Sequence, residues 1–199
     1  MGKQEASLLY AQLLEHMRKL VHISVPDEAK ICAAFEPRYV RKKQFILQAG
    51  QVAYHENFLC RGCTATYYTG SDFNLHVVQL AIEDKWVGDP RSFYNQVPSQ
   101  YTIEAVEDTT LLSIRAELME QLYAQVPALE RLMRIKLQNA YNVFNERIVA
   151  LNSHPAKQRY EDFAKRYPEY DRRVPQQYIA SYLGMRPEYL SRLRSRRAG

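Results

Sequence analysis

Glu188 and Arg192 lie four residues apart in the segment "RPEYLSRLRSRR", so on a helix they share one face, one turn from each other. Those residue types suit base reading. A carboxylate accepts a hydrogen bond from cytosine N4, and a guanidinium forks onto O6 and N7 of guanine. Five arginines follow Gly184: Arg186, Arg192, Arg194, Arg196 and Arg197. The spacing places Arg194, Arg196 and Arg197 for backbone phosphates rather than bases. Charge along the chain agrees, since residues 153–199 hold 11 Lys and Arg against 5 Asp and Glu, and the first 152 hold 16 against 17. A near-neutral body with a basic end is the electrostatic footprint of a module that meets phosphate. The plainer alternative is an amphipathic hairpin whose Glu–Arg pair contributes only about 0.2–0.5 kcal/mol.

Other reactive residues support less. Cys60 and Cys63 form a C-x-x-C, but two thiolates fall short of the roughly four an iron–sulfur cluster needs, and Cys32 is far off in sequence. The pair straddles an expected strand turn and would point in different directions, so packing is the expected role rather than redox sensing. His55 and His76 are isolated and build no metal-binding H-x-H with a following Glu. With no nucleophile–base pattern either, neither an enzyme, a metal nor a cofactor is expected.

The elements that must position these residues can be read from periodicity. "QQYIASYLG" carries Ile179, Tyr182 and Leu183 on one side, and Gly184 is free to take the left-handed conformation that ends a helix. Pro187 suits the first turn of the next helix, which turns Leu190 and Leu193 inward. Two helices, a short turn with glycine and a small residue at the crossing describe a helix-turn-helix, whose second helix enters the major groove.

Upstream, Leu9, Leu13, Met17 and Leu20 mark a first helix, and Pro26 starts a second. "YVRKKQFILQAGQ", "NFLCRGCTATYYTG", "NLHVVQLAIEDKW" and "SQYTIEAVEDTTLLSI" are β-branched or aromatic runs broken by Gly, Asn and Asp. They predict an antiparallel β-roll of about eight short strands, with alternation through Phe58, Cys60, Gly62, Thr64, Thr66 and Tyr68. Pro127 opens a long helix whose apolar positions Leu129, Met133, Leu137, Ala140, Phe144, Ile148 and Leu151 follow a heptad-like seam. The seam from Met133 to Leu151 is expected to join two subunits, over and above any part in covering the sheet. Ser153 as N-cap and Pro155 are expected to start the next helix, and Pro168 to stop it. The odd cysteine count and the lack of an 18-residue apolar run place the protein in the cytoplasm, with no membrane partner.

"YIASYLGMRPEYLSRLR" resembles the C-terminal helix-turn-helix of the Crp/Fnr transcriptional regulators. "FILQAGQ", "FLCRGCTATYY", "RYEDFAKRYP" and "RVPQQYIA" resemble the same family in the same order. The resemblance implies an α+β chain: a β-roll (double-stranded β-helix) sensor domain over 1–125, a long dimerisation helix over 126–152 and a helix-turn-helix domain over 153–199. It implies a homodimer on a two-fold-symmetric operator in double-stranded DNA, with RNA polymerase and a small-molecule effector as further partners. Gln176 and Gln177 resemble residues entering the positioning helix. Pro187, Glu188 and Arg192 match base-contacting positions, with Ser191 on the same helix. Arg186 stands where the family places a Ser or Thr cap, and would add a phosphate contact.

Family members that bind cyclic AMP use a Gly-Glu pair on the ribose and an arginine on the phosphate. Here Gly88–Asp89 and Ser99 stand at those positions, with Arg91 and Gln100 nearby. A serine cannot compensate a buried phosphate charge, so cyclic AMP is not expected as the effector. The alternative to a regulator is a stand-alone ligand-binding β-roll with a non-functional basic tail.

Overall fold

A computed structural model describes residues 3–198. Helices α1 (Lys3–Arg18) and α2 (Val25–Ala34) precede strands β1 (Glu36–Val40), β2 (Phe45–Leu47), β3 (His55–Arg61), β4 (Thr64–Thr69), β5 (Leu75–Ala81) and β6 (Lys85–Val87). A short α3 (Pro90–Asn95) separates these from β7 (Thr102–Ala105) and β8 (Thr109–Arg115). Helices α4 (Ala116–Gln125), α5 (Ala128–Ser153), α6 (Ala156–Arg166), α7 (Pro168–Arg173), α8 (Gln176–Tyr182) and α9 (Pro187–Ala198) follow. The fold is an antiparallel jelly roll followed by helices.

Each of the four strand-rich runs breaks into two strands that lie in different sheets. One sheet runs β1-β8-β3-β6 and the other β2-β7-β4-β5, all antiparallel. The breaks carry the special backbone: Lys43, Gly62 and Asp84 all have positive φ. At Gly62 no side chain fits, because at φ +102° a Cβ would lie 2.7 Å from the carbonyl oxygen of Asp108. The alternation expected through Phe58 and Tyr68 is not one strand, since Gly62 and Cys63 turn the chain between sheets. Within β3 every residue from Glu56 to Cys60 is buried, because helices cover one face and the second sheet the other.

Two cores result. The first gathers Leu9, Leu13 and Met17 of α1 with Phe58, Leu112 and Ile114 of the roll, and with Leu129, Leu132 and Met133 of α5. Each such side chain contributes roughly 1.5–3 kcal/mol on burial. Leu20 lies past the end of α1 and is only partly buried. The second core joins Ala65, Tyr67, Val77 and Leu80 of β4 and β5 to Tyr160, Phe163, Ile179, Leu190 and Leu193 of the C-terminal helices. The C-terminal helices therefore complete their hydrophobic interior with the outer face of the roll.

Ser153 is the last residue of α5, not an N-cap. Its hydroxyl donates back to the Val149 carbonyl at 2.6 Å, leaving Pro155 to head α6. Pro168 does end α6, and it also opens α7. No helix among the described residues is long and apolar enough to cross a membrane.

Candidate nucleic-acid interface

The turn between α8 and α9 is tightly specified. Gly184 has φ +63°, and a Cβ there would sit 2.7 Å from Cδ2 of Leu151. The Met185 amide returns to the Ala180 carbonyl at 2.9 Å and the Gly184 amide to Ser181 at 3.1 Å, closing the helix end. Arg159 of α6 donates to the carbonyls of Leu183 (2.9 Å) and Gly184 (3.0 Å), and also to that of His154 (2.7 Å). One guanidinium thus satisfies carbonyls that the end of α8 leaves open. Sequence inspection missed Arg159, which lies 25 residues from its farthest partner and carries no local signal.

Leu190 and Leu193 bury the inner face of α9. Glu188, Ser191 and Arg192 are exposed, and with Gln176 and Pro187 they line one shallow concavity. The structure thus brings the sequence-selected reading residues onto one face. Gln176 donates to the Pro187 carbonyl across the turn, and the Arg192 guanidinium lies 5.6 Å from the Tyr189 ring centroid. Gln177, Arg186 and Arg196 are exposed. The side chain of Arg197 lies outside the described residues.

Arg194 is a correction. It turns back into the helical domain, donating to Asp171 Oδ1 at 2.5 Å and to the Asp171 carbonyl at 2.7 Å. Asp171 also accepts from the Tyr160 hydroxyl at 3.1 Å. A guanidinium committed to a carboxylate and a carbonyl has little left for phosphate.

Several contacts fix the orientation of this head. Ser181 of α8 donates to the Leu75 carbonyl (2.6 Å) and accepts from the Val77 amide (2.9 Å) on β5. Tyr67 and Tyr178 stack at 6.2 Å and both donate to Glu104 Oε2. Burial, and then the Glu104 carboxylate, push the Tyr178 phenol up to about 12. Arg147 of α5 donates to the carbonyls of Val77 (2.7 Å), Val78 (3.2 Å) and Tyr182 (3.0 Å).

Along α5 the apolar positions divide into three groups. Met133 is buried in its own chain's first core and is not open to a partner, which corrects its place in the seam. Leu151 packs over Gly184. Between them Leu137 and Ile148 are 40% exposed, Phe144 52% and Tyr141 65%, with Ala140 exposed beside them. Tyr141 was not foreseen because a tyrosine fits either a wet or a dry position.

The nucleotide-type positions do not fit a cyclic phosphate. Asp89 is buried and caps α3, accepting from the Arg91 amide (3.0 Å) and the Ser92 amide (3.3 Å). Its other oxygen accepts from the buried Ser99 hydroxyl at 2.8 Å. The two residues satisfy each other. Arg91 and Gln100 are exposed, and Gly88 instead faces the buried carboxylate of Glu56. Cys60 joins the first core and Cys63 the second, so their side chains diverge. Burial pushes both thiols up to about 12, which leaves them unreactive at neutral pH.

Residues 37–126 match the family model of the cyclic nucleotide-binding domain. No curated protein matches the sequence significantly. Among solved structures, the chain is similar to FixK2 from Bradyrhizobium japonicum (TM-score 0.70, 18% identity, covering 81% of this chain and 83% of that one). It is similar to the c-di-GMP-responsive global regulator CLP of Xanthomonas campestris (TM-score 0.70, 15% identity, 87% and 91% covered). A third, from Eubacterium rectale and assigned to the crp/fnr family of transcriptional regulators, gives TM-score 0.68 at 15% identity, with 86% and 82% covered. Residues 37–126 therefore match the cyclic nucleotide-binding domain, and the chain as a whole has the fold of these solved transcriptional regulators.

Proposed function

We propose that this chain is a dimeric, sequence-specific DNA-binding transcriptional regulator working in the cytoplasm, and that cyclic AMP is not its effector. The observation that carries this reading is the exposed Glu188–Ser191–Arg192 face of α9, presented by a helix whose other side is buried and whose turn is locked at Gly184. Glu188 and Arg192 would read base edges in the major groove, while Arg186, Arg196 and the amide side chains of Gln176 and Gln177 meet phosphates. The stripe of Leu137, Tyr141, Phe144 and Ile148 would pair two copies of α5, setting two heads on a two-fold-symmetric operator. The domains would divide as a roll over 1–125, a dimerisation helix over 126–152 and a DNA-binding head over 153–199. RNA polymerase is the further partner such a regulator would address.

Binding-site selection followed by fluorescence anisotropy tests this. The selected site should hold two half-sites about 34 Å apart. With on the order of two to three cationic phosphate contacts per subunit, the neutral glutamines releasing no counterions, the log–log salt slope should be about −4 to −5. Arg192→Ala should cost roughly 1–3 kcal/mol per half-site and relax one base position without lowering thermal stability. Arg194→Ala should lower thermal stability, and once the fraction folded is allowed for it should leave the selected sequence unchanged. A slope near about −2, or no sequence enriched, overturns the reading.

A further inference from the structure

We infer that a cleft at the end of the first sheet, distinct from the nucleotide-type positions, binds a small oxyanion dianion through Arg38, His55 and Arg115. The cleft lies where β1 begins, β3 begins and β8 ends, and α2 and α4 close it; Glu36 and Ser113 complete its polar lining. Its volume of about 180 Å³ equals roughly six water molecules, too small for a nucleotide.

Two of the lining side chains, Arg38 and His55, keep polar atoms without a protein partner among the described residues. Elsewhere, the partly buried guanidinium groups are more heavily engaged: Arg147 and Arg159 donate to three carbonyls each, Arg173 and Arg194 to carboxylates and carbonyls. Arg38 is half-buried, yet among the described residues it makes one hydrogen bond, 3.3 Å to the Ile46 carbonyl, and no ion pair. Four of its five N–H donors are thus left without a protein acceptor. His55 stands opposite Arg115 across β3 and β8, and its ring has no hydrogen-bond partner among the described residues. Among the described residues Arg115 meets only an exposed Glu117 at 3.5 Å, a pair that yields readily to a better anion. Ser113 spends its proton on Asn57 Oδ1 at 2.7 Å and so is not a donor here.

Charge sets the chemistry of the ligand. The groups facing His55 are Arg38 and Glu36 from β1, Arg115 from β8 and Glu117 from α4. Burial first, then Arg38 and Arg115, hold its imidazole below the usual histidine range, while the two acids oppose this. The free protein thus favours the neutral ring. An anion between the two arginines reverses that balance and favours the imidazolium, so binding takes up a proton and strengthens as pH falls. Glu36, on the rim, and Glu117, beside Arg115, are like charges that the anion must tolerate.

Sulfate is the suitable probe, since it does not titrate in this range. We expect one saturable site, with the His55 ring resonance moving and its pKa rising on binding, and affinity about tenfold higher at pH 5.5 than at pH 7.5. Arg38→Gln should weaken binding by about tenfold or more. Arg115→Gln, at an exposed position, should do so without risk to the fold, and Glu36→Gln should tighten binding. Competition with malonate separates tetrahedral oxyanions from dicarboxylates, and displacement of one by the other supports a shared site. Three results would overturn the inference: non-saturating shifts shared with the exposed His22, affinity unchanged in both arginine variants, or loosening by Glu36→Gln.

Discussion

Arg173, the last residue of α7, reaches three of the turns by which the chain passes between sheets. It pairs with Glu83 at 2.7 Å in the β5–β6 turn and with Glu107 at 2.7 Å in the β7–β8 turn, and it donates to the Gly62 carbonyl at 3.0 Å in the β3–β4 turn. Arg173→Ala would leave two carboxylates facing one another without a cation. The arginine side chain is 19% exposed and both glutamates 33%, so the cost lies between that of a surface pair and that of a broken buried one. About 2–3 kcal/mol is the expectation. For a chain of this length that lowers Tm by about 5–10 °C. The pH dependence sharpens the test. Burial alone would raise the Glu83 carboxyl, but hydrogen bonds from Arg173 and from backbone amides, including Gly62, outweigh it and hold the group below its ordinary range. Such a carboxylate contributes stability above its unfolded pKa of about 4.3, lost as pH falls through the lower folded value. In the variant the carboxylates take up protons earlier and their repulsion is relieved. The stability gap should therefore be widest at neutral pH and narrow below about pH 4.5. Thermal unfolding at both pH values reads this directly. A Tm change under about 1 °C at pH 7, or an equal gap at both, refutes the reasoning.

Phe144→Lys places two charges across the proposed subunit seam, and light scattering should show 23.3 kDa particles where the parent gives twice that mass; an unchanged dimer would exclude α5 as the interface. Gly184→Ala forces a left-handed φ on an L-residue against Leu151 and should cost about 1–2 kcal/mol or more in chemical denaturation, whereas parental stability would contradict the turn geometry. Cyclic AMP and cyclic GMP should give no calorimetric binding, because Asp89 and Ser99 are committed to each other; a Kd below about 10 μM for either would refute this. Ser99→Arg should destabilise the roll rather than create a site, since Ser99 is only 3% exposed.

Local signals in the sequence were legible and long-range ones were not. Gly184, Pro187 and the Leu190/Leu193 spacing report their own conformation, so the helix-turn-helix and its exposed face follow from adjacent residues. The strand-rich runs follow from β-propensity, but their division between two sheets does not, because alternation reads straight through Gly62 and two of the breaks lie at Lys43 and Asp84 rather than at glycine. Arg194 was misjudged because its partner Asp171 lies 23 residues away, and nothing near it shows that its charge is already spent. Met133 fits a heptad as well as it fits the core, and only the roll above it decides. Arg38 and His55 drew no attention as a pair because β1 and β3 meet only through β8.

The shared second core changes what the head can do. α8 buries Tyr178 and Ile179 against the outer face of β4 and β5, and Ser181 completes a hydrogen-bonded link to the β5 backbone. Arg147 then ties both to the long helix, since one planar guanidinium holds carbonyls from β5 and from the end of α8 at once. A shift of β5 relative to α5 cannot be absorbed by a flexible linker here. It must break some of those bonds, or carry α8 along, and with it the reading face of α9, fixed to α8 by the Gly184 turn and Arg159. The spacing of two reading helices across the proposed dimer would thus be set by contacts within each subunit as well as by the seam. Arg147, by holding carbonyls of β5 and of α8 from its place on α5, makes the roll, the long helix and the head constrain one another.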